Sequence, residues 1–345
     1  MTVSAEDMQR IWEERVRPRL FGSARTCDHP VFLDVGGQPG SGKSRGTEGA
    51  AKRLYPDLRF VRIDLDALRK YHPGFDGLAG SSDQSAVVGL TNEFAWGLTD
   101  RALTYAREHK ISVVYEESFR NSQSVMERLE QFHDAGFDTH VVAMAVPEPV
   151  SWQGCVSRYC KAVADGDPAR WVDRGFHDEA CEGTSRVVVE AESSLAVSRL
   201  SVVNRLGEVV SDNVRDGSGA WVRPFDAADA MARQRREPPE TVVERFWSDQ
   251  RDLVGLHDSH GLSDDVGRMI GEVGRDGARV FRRAGSGQTG PGGGPVPDRR
   301  FEELLRTSVP GPTGKEPGLR PSAHHEPART HLDRRPPTIG RGRGR

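Results

Sequence analysis

The residues best suited to chemistry lie in one short segment, residues 36–44, which reads GGQPGSGKS. It matches the phosphate-binding pattern G-x-x-x-x-G-K-[ST], in which glycines let backbone N–H groups turn around phosphate oxygens. Lys43 would reach the terminal phosphates, and the hydroxyl of Ser44 could ligate Mg²⁺. The segment therefore predicts a P-loop that binds ATP and Mg²⁺ through Gly37, Gln38, Pro39, Gly40, Ser41, Gly42, Lys43 and Ser44.

The flanks of this segment fit the motif. An apolar run at residues 31–35 predicts a strand before it, and a helical pattern follows it at residues 46–54. A helix that begins near Lys43 would add the positive end of its dipole to the same anion site. Strand, loop and helix in this order are the context that a P-loop requires.

Two carboxylates indicate which class of P-loop protein this is. Asp64 and Asp66 follow an apolar run at residues 60–63, and ligands of a doubly wound sheet lie at the carboxyl ends of its strands. Either aspartate could accept the proton of an attacking hydroxyl, or both could be turn or helix-capping residues. The chain has no N-K-x-D motif for guanine and no transporter ATPase signature. The pattern favours a kinase.

The elements around these residues predict an α/β fold of the P-loop kinase type. Apolar, β-rich runs alternate with longer helical patterns, which predicts a doubly wound, mainly parallel sheet with crossover helices. The runs lie at residues 31–35, 60–63, 111–115 and 141–146. Residues 200–210 predict either a hairpin at the sheet edge or a last strand with a turn. Near the start, one face of a predicted helix carries an apolar stripe typical of core packing: Met8, Ile11, Trp12, Val16 and Leu20.

Several blocks, in order and spacing, resemble the zeta toxins, the P-loop kinases of toxin–antitoxin systems. The resemblance covers roughly residues 5–235. The blocks are the P-loop, IDLDALRKYHPGF at 63–75, VVYEESFR at 113–120, AMAVP at 143–147 and SRY at 157–159. The resemblance implies transfer of the γ-phosphate of ATP to the 3′-hydroxyl of the amino sugar in UDP-N-acetylglucosamine. It also implies that an antitoxin protein can dock near the N-terminal helix.

The resemblance also implies roles for individual residues. Lys43 would bind the phosphates, Ser44 the metal, and Asp66 would be the base, with Asp64 supporting it. The arginines that steady the transferring phosphate would be Arg158 and Arg170, since planar guanidinium groups bind phosphoryl oxygens bidentately. The residues implied to contact the sugar nucleotide are Asp66, Asp100, Glu116, Ser118 and Arg120.

Two positions depart from the family pattern. The strand end reads Glu116-Glu117-Ser118 where the family usually reads E-G-T, and Asp100 stands where Glu is more frequent. Glu117 would place an anion beside an anionic substrate unless strand alternation turns its side chain away. The acceptor therefore stays open between UDP-N-acetylglucosamine, another sugar nucleotide and another small hydroxyl compound.

Composition divides the chain into three predicted regions: a kinase domain at residues 1–235, an extension of two short helices at 236–283, and a disordered Gly/Pro/Arg-rich tail at 284–345. Residues 281–345 hold 13 Lys and Arg against 6 Asp and Glu, a net charge of +7 on a chain of net charge −3. This basic tail leaves open a second class, a nucleic-acid-associated P-loop protein such as a polynucleotide 5′-kinase.

Cysteine spacing and hydropathy bound the remaining possibilities. The four cysteines form no C-x-x-C pair, so we expect neither a disulfide nor a structural metal. Residues 1–17 are charged throughout and do not predict a signal peptide, and no apolar run approaches the length of a membrane span. We expect a cytoplasmic protein without a membrane partner.

Overall fold

The computed structural model describes residues 3–79 and 84–284. The predicted disordered tail lies outside the described residues from residue 285 onward. The strands are β1 (Val31–Gly36), β2 (Val61–Asp64), β3 (Val113–Glu117), β4 (Asp138–Met144), β5 (Arg199–Val203) and β6 (Val209–Val214). The helices are α1 (Ala5–Ile11), α2 (Arg17–Phe21), α3 (Lys43–Leu54), α4 (Leu65–Arg69), α5 (Phe75–Ala79), α6 (Gln84–Glu108), α7 (Ser122–Asp134), α8 (Glu148–Asp165), α9 (Arg174–Ser193), α10 (Ala227–Arg236), α11 (Glu240–His260) and α12 (Asp264–Ala284). A π-helical turn, Trp12–Val16, joins α1 to α2.

Within the described chain the strands form a single sheet in the order β2-β3-β1-β4-β5-β6. The pairs from β2 to β5 are parallel, and β6 pairs with β5 antiparallel. The doubly wound, mainly parallel sheet is therefore confirmed. β1 lies in the middle of the sheet, between β3 and β4, and the chain continues to strands on both sides of it. The switch point where such sheets bind ligands therefore lies at the carboxyl end of β1.

β5 and β6 form a hairpin at the sheet edge, which is one of the two predicted alternatives. Asn204 forms its turn, because the side-chain Oδ1 accepts hydrogen bonds from the N–H groups of Leu206 at 2.9 Å and Glu208 at 3.0 Å. Gly207 completes the turn with a φ of 82°, which favours glycine. The hairpin places residues 204–207 beside the end of β5.

Helices cover both faces of the sheet, and alternate residues of β1 point to opposite cores. Phe32 packs with α6, α7 and α9, whereas Leu33 and Val35 pack with α8, α11 and α12. The predicted stripe on the first helices belongs to the first core, where Ile11, Trp12 and Val16 are buried. Core packing of this stripe is thus confirmed. No helix in the described ranges is long and apolar enough to cross a membrane.

The helices after residue 238 are longer than predicted. Each of α11 and α12 has 21 residues, so the prediction of two short helices was wrong in length. Packing explains the difference, because α11 and α12 contact each other and α8 and share one core. Gly277 lets α12 approach closely, since a Cβ there would lie 2.3 Å from the Phe246 ring. Helices stabilised by such contacts extend beyond what local propensity supports.

Candidate active site

The loop between β1 and α3 has the backbone that the glycine pattern predicts. Gly40 and Gly42 have φ values of 75° and 86°, which lie in the left-handed region. Gly40 is also pressed against α8, where an added Cβ would lie 2.0 Å from the carbonyl oxygen of Ser151. The loop ends at the N-terminus of α3, whose free N–H groups favour an anion.

Lys43 and Ser44 start α3 beside the tip of β3. Lys43 Nζ donates to the carbonyl oxygens of Gly37 at 2.7 Å and Gln38 at 3.2 Å. Burial lowers the pKa of Lys43 to about 8, and the nearby Glu116 carboxylate opposes that shift. The hydroxyl of Ser44 donates to Glu116 Oε2 over 3.5 Å. Hydroxyl and carboxylate oxygens are donors that suit Mg²⁺, so the residues present fit this ion.

No group of three or more His, Cys, Asp or Glu side chains that could hold a metal occurs in the part of the chain that the structure describes.

A buried polar chain holds the loop from behind. The side chain of Gln38 is fully buried and donates to the Val146 carbonyl at 2.9 Å and to Ser151 Oγ at 3.2 Å. Ser151 Oγ in turn lies 2.9 Å from Nε2 of the buried His177. Gln38 therefore points into the protein, and only its backbone could face a phosphate. The sequence carried no local signal for His177, which is 139 residues away.

The structure separates the two aspartates of the I-D-L-D block. Asp64 caps α4, because its Oδ1 accepts a hydrogen bond from the N–H of Asp66 at 2.9 Å. Asp66 lies in the first turn of α4, and its side chain is 57% exposed. Its Oδ1 accepts from Arg69 Nε at 3.0 Å, and its Oδ2 accepts from Arg170 Nη1 at 2.8 Å. Asp64 thus caps a helix, whereas Asp66 presents an exposed carboxylate beside two guanidinium groups.

The charge of Asp66 is set by these neighbours. Partial burial would raise the pKa of Asp66, but Arg170 and Arg69 outweigh it and hold the pKa below its usual range. Arg69 was not predicted as a site residue. It is 5% exposed and also donates to Asn92 Oδ1 at 2.8 Å. Its position three residues after Asp66 on a helix is a spacing from which the pair could have been predicted.

Strand alternation decides the direction of the two glutamates at the end of β3. Glu116 faces the P-loop, where Arg62 Nη2 lies 2.8 Å from its Oε1. Glu117 faces the opposite side of the sheet and forms an ion pair with Arg128, which also lies 3.3 Å from Asp34 Oδ2. Glu117 therefore does not add its charge to the side of the sheet that carries the P-loop.

Asp34 completes this buried charge cluster. Its side chain has no exposed surface. Burial and the neighbouring Glu117 raise the pKa of Asp34 well above its usual range, while Arg128 opposes them. The cluster is a structural feature of the core beneath the sheet tip.

The segment after β3 carries two predicted acceptor residues, Ser118 and Arg120. Between them, Phe119 is fully buried and has a φ of 55°, an uncommon value for a non-glycine residue. Ser118 is partly buried. Arg120 lies over the Phe176 ring at 4.8 Å and pairs with Glu179 at 3.5 Å, so it contacts the start of α9.

The remaining predicted residues are placed as follows. Arg158, on α8, lines a cavity of about 1050 Å³ together with Lys43, Ser44, Lys161 and Arg205. The guanidinium of Arg205 donates to the Gly40 carbonyl at 2.6 Å and so joins the hairpin turn to the P-loop. Asp100 is exposed on α6 and has no hydrogen-bond or ion-pair partner in residues 3–79 and 84–284. Within these ranges, Asp100 therefore forms no hydrogen bond or ion pair with another predicted site residue.

A P-loop at the end of the central strand of a mainly parallel sheet places the protein in the class of kinase-like P-loop α/β folds. The sequence model of the zeta toxin family matches residues 16–215, more than half of the chain. The chain belongs to the zeta toxin family.

Individual relatives agree with this assignment. Toxin zeta of Enterococcus hirae is 25% identical over 190 residues, which are 54% of this chain and 65% of that protein. Toxin zeta of Streptococcus agalactiae is 27% identical over 162 residues, which are 46% of this chain and 55% of that protein. The match thus spans less than two thirds of these relatives. Among solved structures, the PezAT chromosomal toxin–antitoxin system of Streptococcus pneumoniae matches with a TM-score of 0.62 at 17% identity, covering 74% of this chain and 98% of the other.

Proposed function

We propose that this protein is a cytoplasmic kinase that transfers the γ-phosphate of ATP to a hydroxyl group of a nucleotide-activated amino sugar. The 3′-hydroxyl of UDP-N-acetylglucosamine is the acceptor we favour. The observation that carries this proposal is the placement of Asp66. This carboxylate lies on the helix that follows β2, where it accepts hydrogen bonds from Arg69 at 3.0 Å and from Arg170 at 2.8 Å.

The phosphate-binding roles follow from position. Backbone N–H groups of the loop at residues 37–42 and the ammonium group of Lys43 would bind the triphosphate. Ser44 would hold Mg²⁺, which, when bound, neutralises charge on the phosphates. Arg158 and Arg170 would bind oxygens of the transferring group, where the transition state spreads negative charge.

Asp66 would act on the acceptor. Arg170 and Arg69 keep its carboxylate ionised at neutral pH. The acceptor oxygen would attack the γ-phosphorus, the bond from that phosphorus to the bridging oxygen would break to release ADP, and the hydroxyl proton would pass to Asp66. Hydrogen bonding to Arg170 would also place the carboxylate beside the phosphoryl group that Arg170 binds.

The acceptor would lie along the tips of β2 and β3. Glu116 and Ser118 offer hydrogen-bonding groups for sugar hydroxyls, and Arg120 offers a cation for a diphosphate. The turn of Glu117 toward Arg128 removes the main physical objection to an anionic acceptor. Asp100 remains a predicted acceptor contact, without a hydrogen bond or ion pair to the other site residues in the described part of the chain.

The solved PezAT structure concerns a toxin–antitoxin system. We propose by analogy that this protein also has an antitoxin partner. Co-purification of the protein with the product of a neighbouring gene would test that part of the proposal.

The test of the activity is ATP turnover with Mg²⁺ across a panel of acceptors, followed by mass spectrometry of the products. The panel contains UDP-N-acetylglucosamine, other nucleotide sugars, aminoglycosides and oligonucleotides. We expect a singly phosphorylated UDP-N-acetylglucosamine that is absent with Lys43→Ala and Asp66→Asn. Phosphate on a different acceptor would retain the kinase and replace the substrate. Absence of ATP consumption with every acceptor would overturn the proposal.

A further inference from the structure

The cavity beside the P-loop continues along a helix that lies outside the part of the chain matched by the family model. That match ends at residue 215, whereas α11 spans Glu240–His260. Residues of α11 that line the cavity include Arg245, Asp249, Asp252, Leu253 and Leu256. A C-terminal element therefore forms one wall of the space that begins at Lys43.

The α11 residues that line the cavity form one continuous surface because they follow the helical repeat. Positions 245, 249, 252 and 256 are spaced three or four residues apart, which places their side chains on one face of the helix. The wall is also fixed in position. The buried Gln153 of α8 donates to the Phe246 carbonyl at 2.9 Å and to Gln250 Oε1 at 3.1 Å. Because Gln153 and Arg158 both lie on α8, these hydrogen bonds fix the position of the α11 face relative to Arg158.

The chemistry of the lining changes along the cavity. Cationic groups of Lys43, Arg158, Lys161 and Arg205 lie on the side of the P-loop, where a triphosphate would bind. The α11 face supplies two carboxylates, two leucines and Arg245, whose charge is paired with Asp249 at 2.8 Å. This face therefore suits a phosphate less well than the P-loop side does. Leu206 lines the cavity next to Arg205, and 51% of its surface is exposed.

A nucleoside matches this second half. Its base has apolar faces, and its sugar hydroxyls and exocyclic amine donate hydrogen bonds that a carboxylate accepts. The volume of about 1050 Å³ is at the upper end for a small-molecule site. The proposed acceptor residues Asp66, Glu116, Ser118 and Arg120 do not line this cavity within the described ranges. The nucleoside in question is therefore that of the phosphate donor rather than that of the acceptor.

We propose that α11 forms the base-and-ribose subsite of the donor nucleotide, with Leu206 and Leu256 against the base and Asp252 accepting hydrogen bonds from the nucleoside. Asp249 already pairs with Arg245 at 2.8 Å. Asp252 has no hydrogen-bond or ion-pair partner among the described residues and lines the cavity, so its carboxylate is the one available to a ligand. This inference rests on the proposed use of a nucleoside triphosphate.

The test compares two probes, ATP and inorganic tripolyphosphate, each with Mg²⁺ and titrated calorimetrically into the full chain. Tripolyphosphate has no base or sugar. Asp252→Asn is expected to weaken ATP binding about tenfold and to leave tripolyphosphate affinity unchanged within about twofold, because only the nucleoside loses a charge-assisted hydrogen bond. Glu244→Gln is the matched control, since it removes a carboxylate from an exposed position of α11 that does not line the cavity. It should change neither affinity.

Photo-crosslinking with 8-azido-ATP gives an independent readout that does not depend on a variant. Label on peptides that contain residues 205–206 or 245–256 supports the subsite. Label only elsewhere, together with wild-type ATP affinity in Asp252→Asn, would overturn the inference while leaving the kinase intact. If the wild-type protein bound neither ATP nor tripolyphosphate, the proposed function would fail and the inference with it.

Discussion

Arg170 Nη1 lies 2.8 Å from Asp66 Oδ2, although 104 residues separate the two in the chain. The contact joins the loop between α8 and α9 to the first turn of α4, and both side chains are partly exposed, at 43% and 57%. An ion pair this open to solvent stabilises the fold little. Instead, the ion pair helps to keep the Asp66 carboxylate ionised and fixes the position of a guanidinium group beside it.

Removing that guanidinium should change both the rate and its pH dependence. We expect Arg170→Ala to lower kcat by about 100-fold or more, as for loss of one donor to a developing negative charge. In the proposed reaction Asp66 accepts a proton only when ionised, so we expect activity to be lost as pH falls through its pKa. Because Arg170 contributes to lowering that pKa, the variant should lose activity at a higher pH than the wild type. Steady-state kinetics across pH 4–8 measures both effects.

Arg186→Ala provides the control for this experiment. Arg186 is an exposed arginine on α9 that pairs with Glu182, outside the predicted site. It should behave as wild type in rate and in pH profile. If Arg170→Ala lowered kcat without moving the acid limb of the profile, Asp66 would not be the group whose ionisation controls the reaction.

The neighbouring glutamates of β3 should give opposite phenotypes. Glu117→Gly removes a partner of the buried Arg128 and should lower the free energy of unfolding by about 1–3 kcal/mol, with the acceptor KM unchanged within about twofold. Glu116 faces Ser44, so Glu116→Gln should instead lower kcat/KM with little change in the free energy of unfolding. Denaturant titration and kinetics of the two variants measure this. A changed acceptor preference in Glu117→Gly would show that Glu117 reaches the substrate.

His140 should make the protein sensitive to acid. Ser201 Oγ donates to Asp212 Oδ1 at 2.6 Å, so His140 Nε2–H donates to Ser201 at 2.8 Å and Nδ1 accepts from Tyr55 Oη at 3.0 Å. The neutral ring is thus fully satisfied. Burial lowers the pKa of His140 to about 3, whereas an unfolded histidine titrates near about 6.5. The unfolded state therefore binds the extra proton between these values.

The sign of the effect follows from linkage. The contribution of His140 to the free energy of unfolding is fully present above pH 6.5. It falls as pH decreases toward 3, by at most about 1.4 kcal/mol per pH unit. Denaturant unfolding of wild type and His140→Gln at several pH values measures it. The variant should be less stable at pH 7 and should show a shallower loss of stability below pH 6. Equal slopes in the two proteins would refute the assignment.

Local patterns were sufficient for part of this structure. The P-loop and the parallel sheet were predictable because their signals lie within a few consecutive residues. The roles of Asp66 and of the arginine after α8 come from the family resemblance and stay predictions. The direction of Glu117 followed from strand alternation once the strand was placed. The partners that hold these residues, such as His177 behind Gln38, lie far away in the sequence and needed the fold.

The length of α11 and its place beside the P-loop were not predictable for a different reason. Glycines such as Gly277 weaken the local helical signal, yet in the folded chain they permit close packing against Phe246. Packing supplies the stability that the local helical signal of α11 and α12 lacks, while α11 ends at Gly261, whose φ of 57° is left-handed. Asp100 stays a prediction from the family resemblance, and it forms no hydrogen bond or ion pair within residues 3–79 and 84–284.

The close contact between α9 and the segment after β3 gives the last prediction. A Cβ at Gly183 would lie 2.2 Å from the Phe119 carbonyl oxygen and 2.5 Å from that of Arg120, so neither backbone group could stay in place. Gly183→Ala should therefore displace Ser118 and Arg120 and raise the acceptor KM at least about tenfold, with the ATP affinity retained. Gly89→Ala, on α6 with nothing within 4 Å of its added Cβ, is the control and should be neutral or slightly stabilising. A Gly183→Ala protein with wild-type acceptor KM would show that the acceptor does not bind at residues 118–120.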